Sequence, residues 1–129
     1  HMVGRRGSLP REMAMARTPQ EIFAHHAEAL GAGDLEGIVA DYAEDAVFIS
    51  PAGVLRGLDG IRVAFTQLLS DVPTADWTLK TQIYEGDVLF LEWAADAGAT
   101  FVDDGIDTFV FSDGQIQLQT VRYTLQRRP

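Results

Sequence analysis

The chain has 129 residues, which fits one domain around one core, and its 47% hydrophobic and 22% charged content is ordinary for a globular protein. A net charge of −9 at pH 7 repels phosphate backbones and argues against nucleic-acid binding, and no run approaches the ~18 apolar residues of a membrane helix. With no cysteine, disulfides, thiolate catalysis and cysteine-ligated metals are excluded, and a reducing cytoplasm is the expected location.

The charge is unevenly placed. Residues 1–17 carry Arg5, Arg6, Arg11 and Arg17 against Glu12, while every other acidic side chain follows them. This basic lead lacks the hydrophobic stretch of an export signal, so a flexible tail is expected, with His1-Met2 reading as a cloning remnant. One domain is expected over 18–126, with 127–129 as a short C-terminal tail. The arginine-heavy, lysine-poor basic set points to a GC-rich bacterial genome.

Thr18-Pro19-Gln20-Glu21 has the form of a capped helix start, with proline at the first helical position and glutamate able to close a capping box. Ile22, Phe23, His26, Ala27 and Leu30 then share one helical face, and Gly31 and Gly33 end the helix. Asp34 caps a second helix, whose stripe is Leu35, Ile38, Val39 and Tyr42. Val47-Phe48-Ile49 reads as a short strand ended by Ser50-Pro51 and Gly53. A third helix spans Leu58 to Leu69, with Ile61, Phe65, Leu68 and Leu69 inward.

After Pro73 the hydrophobic period changes from 3.6 to 2. Strands are expected at Trp77–Glu85, Asp87–Ala97, Thr100–Val102, Ile106–Ser112 and Gln115–Leu125. Glu85-Gly86-Asp87, Asp103-Asp104-Gly105 and Asp113-Gly114 supply turn chemistry between them. Three helices followed by a meandering sheet define an α+β domain, because the sheet must bury its apolar face beneath the helices.

Several tempting motifs fail. His25 and His26 point about 100° apart on a helix and cannot clamp one metal together. Asp103, Asp104 and Asp107 do not follow a calcium-loop pattern, and Gly53, Gly57 and Gly60 do not form a phosphate fingerprint. Ser50, His26 and Asp107 contain the residue types of a serine triad without its sharp nucleophile turn. No metal and no cofactor is expected.

The run Ala29–Val39, followed by Tyr42-Ala43-Glu44-Asp45-Ala46-Val47, resembles the opening of ketosteroid isomerases and SnoaL-like proteins of the nuclear-transport-factor-2-like superfamily. Gly57-Leu58-Asp59-Gly60-Ile61-Arg62 and Ile106-Asp107-Thr108-Phe109 through Asp113-Gly114-Gln115-Ile116 resemble later parts of the same pattern. The resemblance implies a cystatin-like cone. In it, three N-terminal helices pack on a strongly curved mixed or antiparallel sheet that encloses a pocket, and many members are homodimers through the outer sheet face. Laid on the isomerase pattern, the proton-abstracting carboxylate falls on Ser50 and the tyrosine donor on His26. The oxyanion aspartate is kept as Asp107. A supporting tyrosine matches Tyr42, and another becomes Phe65. The acid of the SnoaL-type cyclases falls on Val121. A lone serine hydroxyl is a poor base and valine exchanges no proton, so neither known chemistry is supported.

Strand alternation places Asp107 and Phe109 on one pocket-facing strand and Gln119, Val121 and Tyr123 on the next, with His26 projecting from the first helix. Catalytic roles, if any, fall to His26 and Asp107. Tyr42, Phe48, Ser50 and Phe65 complete the expected ligand contacts with Phe109, Gln119, Val121 and Tyr123. Glu92 and Trp93 face opposite sides of the sheet, and alternation alone leaves open which one meets the pocket. Three readings follow. One is a binding domain for a small apolar or aromatic molecule; the second is an isomerase-, cyclase- or dehydratase-type enzyme using His26 and Asp107; the third is an assembly module.

Overall fold

A computed structural model describes residues 17–129. The expected basic tail therefore lies outside the described residues, except for Arg17.

Helix α1 (Pro19–Gly31) opens with the capping box read from sequence: the Glu21 amide donates to Thr18 Oγ1 at 3.1 Å, and the Thr18 amide donates to Glu21 at 2.8 Å. It buries Ile22, Phe23, His26 and Ala29. Helix α2 (Leu35–Val39) is capped by Asp34 but lasts only five residues. Tyr42 is thus not the last member of a helical stripe; it begins strand β1 (Tyr42–Ser50). The chain leaves the helix because the Asp41 carbonyl accepts from the Ile116 amide at 2.8 Å, which draws it into the sheet. Strand β2 (Gly53–Arg56), not expected from sequence, returns on β1 as a hairpin. Helix α3 (Gly57–Asp71) follows, burying Ile61, Phe65 and Leu68, and Arg62 grips Glu36 of α2 through two guanidinium nitrogens.

The second half supplies β3 (Asp76–Glu85), β4 (Val88–Asp96), β5 (Thr100–Ser112), β6 (Gln115–Arg122) and β7 (Gln126–Arg127). The sheet order is β2-β1-β6-β5-β4-β3, with β7 beside β5. All neighbours are antiparallel except β1 and β6, which run parallel, so the sheet is mixed. Register shifts within the β1–β6, β3–β4, β4–β5 and β5–β6 pairs bend it around the helices. The α+β architecture expected from the order of elements is the one observed.

Boundaries in the second half differ from expectation as well. Asp103-Asp104-Gly105 is no turn, since β5 runs unbroken through it. Gly105 is needed there for room, because a Cβ at that position would overlap the Trp93 ring. Asp103 and Asp104 hold the C-terminal segment, accepting from the Gln126 side chain at 3.0 Å and the Thr124 amide at 2.9 Å. Two residues of the expected C-terminal tail, Arg127 and Arg128, pack on the sheet. Arg127 pairs with Thr100, and Arg128 joins Asp96 at 2.9 Å and lies over the Phe101 ring. Arg17 is likewise packed, its guanidinium 2.7 Å from the fully buried carboxylate of Asp41, which His25 Nδ1 also meets at 2.7 Å. Among the described residues no helix is long and apolar enough to cross a membrane.

Candidate functional site

The concave face of the sheet and helices α1 and α3 enclose a cavity of about 620 Å³. Sheet register builds its floor in rows. Phe48 lies beside Gln119, which faces Phe109; Val121 faces Asp107, which faces Leu91; Gly105 faces Trp93. Gln119 and Trp93 are therefore diagonal neighbours of Asp107, one from each adjoining strand, within reach of its carboxyl.

Those neighbours hold it. The Trp93 indole Nε1 donates to Asp107 Oδ1 at 2.9 Å, and Gln119 Nε2 donates to Oδ2 at 3.0 Å. Gln119 Oε1 in turn accepts from the Tyr42 hydroxyl. Each of these four residues is at least nine-tenths buried. Burial pushes the Asp107 carboxyl up to about 7, against the two N–H bonds, which favour its charged form. Burial raises the Tyr42 hydroxyl well above its ordinary range, aided by the negative charge of Asp107 and Asp41.

His26 sits on α1 inside an aromatic cage, with the rings of Phe23, Tyr42, Phe65 and Phe109 centred 5.4–5.9 Å away. Burial lowers its pKa to about 4, so the ring is neutral. Its Nδ1 is sealed and has no partner among the described residues. An unpaired acceptor is tolerated in a protein interior better than an unpaired N–H, which assigns the ring proton to Nε2. His26 and Asp107 both line the cavity, yet no hydrogen bond or ion pair joins them. The structure thus brings both residues of the expected pair to one cavity without direct contact between them.

Of the residues expected to contact a ligand, Phe48, Ser50, Phe65, Gln119, Val121 and Tyr123 line the cavity and Tyr42 and Phe109 do not. Both are fully buried, Tyr42 packed against the rings of His26 and Phe65 and Phe109 against those of Phe23 and His26, all of which line the cavity. Ser50 is bound into the β1–β2 turn, where its hydroxyl accepts from the Ala52 amide at 3.2 Å. The Tyr123 ring packs 5.6 Å from Trp93, and its hydroxyl donates to Asp71 at 2.7 Å.

Trp93 is the pocket residue that strand alternation left open. The signal was present, since Leu89, Leu91, Trp93 and Ala95 form one buried row while Glu92 lies opposite and accepts from Thr81 at 2.7 Å. Leu55, Leu91 and Trp77 are further lining residues not anticipated from sequence. Among the described residues no group of three or more His, Cys, Asp or Glu is arranged to hold a metal.

With this geometry established, comparison with known proteins assigns the family: residues 23–119 match the SnoaL-like domain, and the chain belongs to that family. No curated protein matches the chain in sequence. Among solved structures it is similar to IdmH of Streptomyces antibioticus, described as a candidate polyketide cyclase, with 19% identity, a TM-score of 0.68, and 83% of this chain and 92% of that one covered. It is also similar to AclR of Streptomyces galilaeus, a candidate hydroxylase, with 16% identity, a TM-score of 0.66 and coverage of 82% and 88%. A protein of unknown function with a cystatin-like fold from Methylobium petroleophilum gives 16% identity, a TM-score of 0.67 and coverage of 94% and 82%. At these identities the likeness carries the fold alone.

Proposed function

We propose that this SnoaL-like domain binds a neutral, largely apolar or aromatic small molecule in its cavity. The observation that carries this reading is the character of the wall: mostly aliphatic and aromatic side chains, with Asp107, Gln119 and the Trp93 indole hydrogen-bonded together in it and His26 on the same cavity. Among the described residues no lysine or arginine lines the cavity, so a carboxylate or phosphate would meet no countercharge from them, against a net charge of −9. Thermal melts with neutral bicyclic to tetracyclic aromatic compounds and their carboxylate analogues test this. A binder at a hundredfold excess over its Kd stabilises by about 2.7 kcal/mol. Val121→Trp, which fills the floor, should abolish the rise. If no neutral compound stabilised the wild type more than this variant, the reading would fail.

A second reading is an isomerase-, cyclase- or dehydratase-type enzyme. It is favoured by a carboxyl poised near neutrality in the same cavity as a neutral imidazole. In that case Asp107 exchanges the proton. His26, whose bare nitrogen is sealed, offers Nε2–H to a ligand oxygen. The two act on a molecule lying between them and not on each other. Turnover that collapsed in both His26→Ala and Asp107→Asn would support it, and full activity in both would exclude it.

The partner proposed from the fold is a second copy of the chain, across the outer sheet face. Ile83 faces Phe90 there, with Val88 and Ile106 nearby, and all four are exposed apolar side chains. The cysteine-free composition fits a cytoplasmic location.

A further inference from the structure

Tyr42, Gln119, Asp107 and Trp93 form an unbroken hydrogen-bonded line that starts behind the cavity wall at Tyr42 and reaches the floor at Gln119, Asp107 and Trp93. Its direction is set from both ends. An indole N–H can only donate, so Asp107 Oδ1 is an acceptor. At the other end Tyr42 is fully buried, and its hydroxyl proton goes to Gln119 Oε1. If the amide turned over, its NH2 would face the tyrosine, whose proton would lose its acceptor where water does not reach. That arrangement is disfavoured in a protein interior.

We propose that Tyr42 is a positioning residue acting through Gln119: it keeps the amide nitrogen toward Asp107, so that a proton taken up by Asp107 finds no acceptor in the wall and is turned into the cavity toward a bound molecule. Without the Tyr42 hydroxyl, the amide is free to present Oε1, and a protonated Asp107 would give its hydrogen to Gln119. A ligand would then meet an acceptor only. The other polar groups around Asp107 do not take over. Among the described residues Asp107 is hydrogen-bonded only to the N–H groups of Trp93 and Gln119: His26 of α1, with its bare nitrogen sealed, and Tyr123 of the C-terminal segment, whose hydroxyl is directed at Asp71, make no bond to it. The lock belongs to the empty wall and holds whether the bound molecule is only retained or also converted.

Nuclear magnetic resonance of the full chain without ligand tests it, following the Asp107 carboxyl carbon and the Gln119 side-chain amide between pH 5 and 9. In the wild type the amide should keep one orientation on both sides of the Asp107 midpoint. In Tyr42→Phe the midpoint should rise by about one pH unit, a tenfold gain in proton affinity, as the neutral acid acquires Oε1 as a partner. The amide signals should then change with the same midpoint. Loosened packing acts the other way, because water entering beside Asp107 would lower its midpoint toward ordinary carboxylate values. An unchanged or lowered midpoint in folded Tyr42→Phe protein would overturn the proposal. A wild-type amide that reversed as Asp107 titrated would do so without any variant. Trp93→Phe should raise the midpoint by removing the donor to Oδ1 while leaving the amide fixed; reversal there would show that the lock does not reside in Tyr42.

Discussion

The Trp93 indole packs directly on Gly105, the residue facing it across the β4–β5 ladder, in space that a side chain would otherwise fill. That contact lets Nε1 reach Asp107. Gly105→Ala should displace the ring, break the bond and cost about 1–3 kcal/mol of stability through overpacking. Urea unfolding followed by tryptophan fluorescence measures both effects. A variant as stable as the wild type, with an unshifted emission maximum, would mean that the glycine is dispensable.

The native state and the unfolded chain place one proton differently. Between about pH 4 and 6.5 the folded protein carries it on Asp107, raised from 3.8 to about 7, while His26, lowered from 6.5 to about 4, stays neutral. The unfolded chain carries it on the imidazole instead. Proton counts match, so the pair adds almost no pH dependence in that window. Single variants should expose each half. In Asp107→Asn the unfolded chain binds the extra proton, and stability should rise with pH from about 4 to 6.5. In His26→Phe the folded state binds it, and stability should fall as pH rises from about 4 to 7. Each slope approaches about 1.4 kcal/mol per pH unit. Two variants with parallel stability–pH curves would contradict these assignments.

Asp41 is fully buried between Arg17 and His25, and Arg17 also donates to the Gly114 carbonyl at 3.0 Å, tying the start of α1 to the β5–β6 turn. Arg17→Ala should cost about 2–4 kcal/mol by leaving a buried carboxylate with one partner. His25 is nearly half exposed, so His25→Ala should cost less. Thermal melts of the two variants decide the order, and equal losses would count against it.

If the outer sheet face joins two copies, Phe90→Lys should yield monomers at micromolar concentration and leave ligand-induced stabilisation intact, because Phe90 and the cavity lie on opposite faces of β4. Sedimentation velocity gives the mass. Wild type already monomeric under the same conditions would remove the dimer from consideration.

The capping box, the first and third helices and most of the meander were legible because each rests on neighbours within a few residues. The failures share a cause. Leu35, Ile38, Val39 and Tyr42 do fit a helical stripe, but Tyr42 is claimed by a strand 74 residues away, where it pairs with Ile116. Asp103-Asp104-Gly105 has the composition of a turn, yet its glycine answers to an indole on another strand. At the site, the residue types His26, Asp107 and Gln119 could be read from pattern and resemblance. Their bonding could not, since Asp107 turns to Trp93 and Gln119 and not to His26, a choice made by register across three strands.

The parallel pairing of β1 with β6 has a consequence for how the chain is made. Phe48 cannot settle beside Gln119 until the last eighth of the polypeptide begins to emerge from the ribosome. Until then one edge of the first hairpin stands bare, and the floor beneath it is missing a plank. A chain cut off after β5 would retain every helix and still lack the strand that carries Gln119 and Val121, so the cavity floor is completed only near the end of synthesis.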